Sequence, residues 1–326
     1  MKAVIVEQFG SADNMKVVDQ EIPTPNPDQV LIRVKTTSVN FADIKARHGN
    51  KGGGKLPFLP GLEAAGVIEQ VGRNVVNLAV GDRVIAFPHD GSYAEYIVAD
   101  ANLTYVLPDQ IDWDTAGACG IVSFLSYKLL AGLSHLQKGD SVLIHAAAGG
   151  VGTTAIQIAR ALGAGLIIGT VGHPNKIQTA LDAGADKVIV YEQDDFAAKV
   201  NELTAGRGVD IILDSVGGVI TESSMNCLAK YGRLVVFGNS SGKYGNVNTK
   251  DLHASCRSVL GFSLGTTRKE RPDILQEIAV QVFELLSKGK LNIQIGAKFP
   301  FQDAAQAHQF VESRQSTGKV VLTFDL

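Results

Sequence analysis

The stretch "SVLIHAAAGGVGTTAIQIARALG", residues 141 to 163, constrains the fold more than any other part of the chain. An apolar run, a turn of small residues and an alanine-rich helical pattern follow one another, which predicts strand, tight turn and helix. The same rhythm continues. "GLIIGT" precedes "NKIQTALDAG", "KVIVY" precedes "DFAAKVNELT", and "VDIILDS" precedes "ITESSMNCLAK", while "GRLVVFG" and "SVLGFSL" supply two more strands. Strands alternating with helices of this length predict an α/β fold with a parallel, doubly wound sheet. The 35 glycines among 326 residues suit its many strand-to-helix turns.

The turn itself resembles a dinucleotide loop with one glycine replaced. Ala147, Gly149 and Gly152 occupy the three positions of G-x-G-x-x-G. Gly149 and Gly150 let a diphosphate approach the backbone, and Gly152 allows the helix to pack closely on its strand. Val151 opens the helix, whose free N–H groups and positive dipole end favour phosphate. Ala147 is acceptable if its backbone angles are ordinary, since only a left-handed conformation would require glycine. After the second strand, an NAD enzyme carries an acid for the ribose 2′-hydroxyl. Here Thr170, Val171 and Gly172 are uncharged and Lys176 follows within a turn. The pattern leaves room for a 2′-phosphate beside an ammonium and predicts NADP(H).

Before Ser141 the chain reads as β-rich: "KAVIVEQFG", "DQVLIRVKTTSVN", "AAGVIEQVG", "DRVIAF" and "AEYIVAD" are short β-branched runs between turn residues. "VGRNVVNLAVGDRV" reads as two strands joined by a small polar turn. From about Thr266 the pattern changes to helix, strand, helix and a closing strand "GKVVLTFDL". A chain this long exceeds one ordinary core. The boundaries expected are a β-rich domain over 1–124, completed by 265–326, with the dinucleotide domain over 125–264.

A net charge of −3 offers nothing to nucleic acid or an anionic membrane. No signal-peptide pattern opens the chain, and no apolar run of the roughly 18 residues needed for a membrane span is evident. Cys119, Cys227 and Cys256 are odd in number with no close pair, which favours a reducing compartment. A cytoplasmic protein is expected.

The blocks "HAAAGGVG", "GTVGxxxK", "DSVGG", "FGNSSG" and "GKVVL" occur in the order in which the zinc-independent quinone oxidoreductases (zeta-crystallin type) of the medium-chain dehydrogenase/reductase superfamily carry them. The chain resembles that family over essentially its whole length. The resemblance implies a GroES-like catalytic domain, formed by the N-terminal part and the C-terminal tail, with a Rossmann domain inserted. Zinc relatives bind their catalytic metal through a Cys and the His of a "GHE" motif, where this chain has Asn40 and Leu62. No metal is therefore expected, and His48, His89 and Cys119 are ordinary residues.

The resemblance also implies the cofactor contacts. Asn40 reaches the nicotinamide end. Gly149, Gly150, Val151, Gly172, Lys176 and Tyr191 hold the adenosine phosphates. Ser215, Phe237, Gly238 and Asn239 lie along the pyrophosphate and nicotinamide, and Leu264 and Lys319 close the site. Leu125 stands where the family has a Thr near the carboxamide, and Lys45 and Lys51 stand where it often has substrate-facing tyrosines. "NKGGGK", residues 50 to 55, is expected to form a mobile basic lip. The implied reaction is hydride transfer from C4 of NADPH to a quinone or an α,β-unsaturated carbonyl, in a dry site that orients the two. Asn40, Asp43 and Lys45 are the catalytic candidates, the latter two for polarising an acceptor. The alternatives are an enone or enoyl-thioester reductase and a non-catalytic NADPH-binding protein. A homodimer or homotetramer is implied, with "SVLGFSL" as an exposed edge strand.

Overall fold

A computed structural model describes residues 1–50 and 55–324. Lys51 and most of the basic segment around it lie outside the described residues. The chain divides into two compact units, Met1–Phe124, Arg268–Ser287 and Ile293–Leu326 in one, Leu125–Thr267 and Lys288–Asn292 in the other.

In the second unit the six apolar runs form one parallel sheet. Across it the strands run Lys187–Val190, Leu166–Val171, Ser141–Ile144, Val209–Asp214, Leu228–Val236 and Ser258–Gly261. In chain order that is 3-2-1-4-5-6, the doubly wound arrangement of dinucleotide-binding domains. The runs are apolar on both faces because helices cover both; all four residues of Ser141–Ile144 are buried. Leu143, Ile168, Ile212 and Leu234, from four adjacent strands, meet Phe196 and Val200 in one core.

Three local readings change. The helix expected over "ITESSMNCLAK" ends early: it spans Val219–Ser224, and Leu228 already pairs with Val209 as strand. The strand is long enough to take in these residues because a register shift follows, with Tyr231 at φ 61°. Helices Thr249–His253 and Leu264–Glu270 carry no strong periodicity in the sequence and were not anticipated. Trp113–Leu133 is a continuous helical stretch long and apolar enough to cross a membrane, contrary to the expectation from apolar runs, and 67% of its most apolar window is buried within the protein. Its interspersed Thr, Ser and Gly residues interrupt an apolar run of letters without interrupting a helix.

The first unit is built on a seven-stranded sheet. The long strand Gln29–Val39 lies at its centre, antiparallel to Ala64–Val71, Tyr96–Asp100 and Lys319–Thr323. Ala64–Val71 and Arg83–Ala86 pair as expected, though residues 72–82 between them make a longer loop than a small turn. The tail returns here: Val320 pairs with Val39, which sets Lys319 opposite Asn40. Val30, Ile32 and Val34 alternate inward and pack with Ile68, Val84, Ile97 and Leu322. Strands Met15–Asp19 and Thr104–Val106 complete the unit and were not read from the sequence.

Candidate functional site

In a sheet of order 3-2-1-4-5-6 the winding reverses between the first and fourth strands, and ligands bind at the carboxyl ends beside that point. His145–Gly149 leaves the first strand and Ser215–Gly218 the fourth. Gly172 follows the second strand, Tyr191 the third and Phe237–Asn239 the fifth. The structure thus brings the loop glycines, Gly172, Lys176, Tyr191, Ser215, Phe237, Gly238 and Asn239 to one edge of one sheet.

Gly149 is the N-cap of the helix Gly150–Ala161, with φ −82° and ψ 173° and no side-chain cap. The N–H groups of the first turn are therefore open to a ligand. A Cβ on Gly149 would meet only the Ala146 carbonyl oxygen, at 3.4 Å. A Cβ on Gly152 would lie 2.4 Å from that oxygen and 2.6 Å from Ala147 Cα. Gly152 is required by helix–strand packing, whereas nothing in the protein excludes a methyl from Gly149. The left-handed residue is Ala146, at φ 53°, so Ala147 escapes the requirement for glycine.

At the second strand, a Cβ on Gly172 would stand 2.8 Å from the Tyr191 hydroxyl, which leans over the glycine. Lys176 ends the 3-10 turn Pro174–Lys176 and is half-buried at the start of the helix Ile177–Asp182. No acid lies between Thr170 and Lys176. Ser215 and Gly238 touch: the Ser240 N–H donates to the Ser215 carbonyl at 2.9 Å, and a Cβ on Gly238 would be 3.0 Å from the same oxygen. The Glu192 carboxylate also comes near, 3.7 Å from a Cβ placed on Gly172. Uncapped donors, a glycine with room above it and the Lys176 ammonium are groups that a phosphorylated dinucleotide can use.

Two buried residues that the sequence did not flag hold this edge in shape. His145 bonds Thr170 Oγ1 at 2.8 Å and Ser224 Oγ at 2.9 Å, joining the first loop to the second strand and to the helix Val219–Ser224. Burial lowers its pKa to about 4, against an opposing pull from Asp214, so the ring is neutral. Asp214 accepts from the Val216 and Gly217 N–H groups at 2.7 and 3.1 Å and from the Thr221 hydroxyl, which fixes the Ser215 turn.

In the first unit, Asn40 ends the central strand and caps the helix Phe41–Arg47. Its Oδ1 accepts from Lys319 Nζ at 2.7 Å, and its Nδ2 donates to Glu63 Oε1 at 3.0 Å. Glu63 is the hub. It is fully buried, and Oε1 also accepts from Ser38 at 2.7 Å and from Lys319 at 3.0 Å, while Oε2 accepts the Ile121 N–H at 2.7 Å. Only the neighbouring Leu62 drew notice in the sequence, because an acid in a loop gives no sign that it will be buried. Asp43 is 2% exposed and its Oδ2 accepts the Asn40 N–H at 2.8 Å, so this carboxylate caps the helix. Lys45 is half-buried on the same helix, and Leu125 and Leu264 are buried. Of the other residues considered as stray ligands, His48 pairs with Glu312, His89 lies beside Asp90 and the Cys119 thiol is buried against the Ala116 carbonyl.

The zinc-binding dehydrogenase model matches residues 150–280, and the alcohol dehydrogenase GroES-like domain model matches residues 26–109. The quinone oxidoreductase of Pseudomonas aeruginosa is 36% identical over 98% of this chain and 99% of its own. That of Homo sapiens is 34% identical over 99% and 97%. Among solved structures, the Escherichia coli quinone oxidoreductase complexed with NADPH superposes with a TM-score of 0.93 at 33% identity, covering 99% of this chain and 100% of that one. With likeness of this extent in both sequence and fold, the chain belongs to the quinone oxidoreductase family of the medium-chain dehydrogenases/reductases.

Proposed function

We propose that the protein is an NADPH-dependent quinone oxidoreductase that needs no metal. The observation that carries the reading is the carboxyl edge of the parallel sheet, where an uncapped helix N-terminus and Gly149, with room for a close approach, stand at the turn of the first strand. Bound there, NADPH would supply a hydride to an electron-poor acceptor. The chain's own part is to bind and orient. Gly149, Gly150 and Val151 take the diphosphate through backbone N–H groups, and Lys176 faces the 2′-phosphate with Gly172 and Tyr191 beside the adenosine. Ser215, Phe237, Gly238, Asn239 and Leu125 follow the cofactor toward the nicotinamide. Asn40, held by Glu63 and Lys319, is the residue for the nicotinamide end, and Leu264 is a further cofactor contact of the proposal.

Self-association as a homodimer or homotetramer is part of the proposal. It is supported by Ser258–Gly261, a half-buried strand at the open edge of the six-stranded sheet. A reducing, cytoplasmic setting agrees with Cys119, Cys227 and Cys256 all being free thiols. The test is a panel of quinones, enones and acyl-thioesters with NADPH and with NADH, followed at the nicotinamide absorbance. Quinones with NADPH should turn over fastest. Turnover confined to enones or acyl-thioesters would replace the quinone reading, and tight NADPH binding without any turnover would make the protein a binder.

A further inference from the structure

Arg268 lies in the helix Leu264–Glu270 and is itself a residue of the first unit. Its guanidinium carbon lies 5.3 Å from the centroid of the Phe87 ring, and Nη1 donates to the Leu62 carbonyl at 2.8 Å. These contacts hold the planar fork in one orientation, and of its five N–H groups one is seen to donate among the described residues. The Tyr105 hydroxyl is buried and has no hydrogen-bond partner among the described residues. The Tyr105 ring stands edge-on to Phe124 at 5.1 Å and to Phe87 at 5.8 Å between centroids. Burial raises the Tyr105 pKa while the charge of Arg268 lowers it, so phenol and guanidinium feel one another. Burial also depresses the Arg268 pKa, against the pull of Asp43 and Glu63.

An orphaned buried hydroxyl is uncommon in a native protein and calls for an explanation. An oriented cation and an unpartnered O–H among aromatic rings suit one ligand chemistry: a planar ring bearing an oxygen with negative charge. The two donors serve the oxygen.

We propose that Arg268 and Tyr105 bind the oxygen of the reduced acceptor, a phenolate, and stabilise the charge that develops there. The proposal rests on the quinone reading above. Hydride transfer adds two electrons and one proton to a quinone, leaving one oxygen as a phenolate that then takes its second proton from water. Donors fixed beforehand at that oxygen lower the barrier because they need no reorganisation when the charge appears.

The test is binding of 4-nitrophenol, whose phenolate absorbs at longer wavelength than the phenol, so that its ionisation on the protein is read without turnover. Bound to the wild type, it should ionise at lower pH than in solution. Arg268→Met should abolish that displacement and weaken phenolate binding about tenfold or more, the effect of losing a hydrogen bond to a charged group. Tyr105→Phe keeps the ring and removes only the orphaned hydroxyl, so the variant should fold. It should weaken phenolate binding while leaving nitrobenzene binding unchanged. Arg268→Lys, retaining charge without the fork, should fall between wild type and Arg268→Met. Failure of the wild type to bind the phenolate, or binding and ionisation unchanged in both Arg268→Met and Tyr105→Phe, would overturn the proposal. Phenolate binding with the expected variant effects, in an enzyme that reduces no quinone with NADPH, would count against the quinone reading alone.

Discussion

The buried pair Glu63–Lys319 permits a quantitative prediction. Glu63 is fully buried and accepts four hydrogen bonds, from Ser38, Asn40, Lys319 and the Ile121 N–H. In Glu63→Gln one carboxylate oxygen becomes an NH₂ group, which must face at least one of those donors. Lys319, itself 3% exposed, would also lose its countercharge. Breaking a buried pair by removing one partner costs about 3–5 kcal/mol, most of it the penalty of the stranded charge. Lys319→Met should cost a similar amount by stranding Glu63. The double variant strands neither charge, so its cost should fall short of the sum by about 1–3 kcal/mol. Urea unfolding followed by the fluorescence of Trp113 measures this. It is the only tryptophan, it sits in the same unit, and the Arg83 guanidinium lies 4.4 Å over its ring. Strictly additive costs, or single variants within about 1 kcal/mol of wild type, would refute the description of Glu63 as the hub.

Three further outcomes follow from the other unit. Gly149→Ala should fold as wild type, because its Cβ meets only one oxygen at 3.4 Å, yet weaken NADPH binding; Gly152→Ala should lose stability through contacts of 2.4–2.6 Å. Melting curves and cofactor titrations on both separate these effects, and unaltered NADPH affinity in Gly149→Ala would place the diphosphate elsewhere. Lys176→Ala should raise the dissociation constant for NADPH about tenfold, and leave that for NADH unchanged. A variant that keeps its preference for NADPH would assign the 2′-phosphate to other groups. His145 is neutral in the fold with a pKa of about 4, against 6.5 when unfolded. The unfolded state therefore takes up a proton first as pH falls, so the stability from this residue is complete above pH 6.5 and declines until about pH 4. The decline amounts to about 3 kcal/mol over that window. Urea midpoints across it should flatten in His145→Asn; an unchanged slope would mean that the ring already carries its proton when folded.

The parallel sheet was legible because burial on both faces demands continuous apolar runs, and runs of four to six such residues between helices have few other uses. What failed was punctuation. The letters "CLAK" suit a helix as well as a strand, and only the pairing of Leu228 with Val209 decides the matter. In the same way, Trp113–Leu133 contains too many small polar residues to stand out as an apolar run, though its helix is continuous.

The site divides along the same line. Residues positioned by local geometry were visible, since a turn that follows a parallel strand must lie at a carboxyl end whatever the rest of the chain does. Residues positioned by long-range pairing were not. Lys319 lies 256 positions from Glu63 and meets it only because Val320 pairs with Val39. Asp43 is expected from the sequence as a group for the acceptor, and the sequence gives no sign that its carboxylate also caps the helix that Asn40 begins. Gly149 and Gly152 belong to one loop and one motif, which assigns the first to phosphate approach and the second to packing, and the distances separate the two causes. One is held to glycine by a carbonyl 2.4 Å from any Cβ, while the other has space for a methyl. A glycine that the fold does not require needs its reason outside the fold, and at an uncapped helix N-terminus that reason is the ligand's own approach to the backbone.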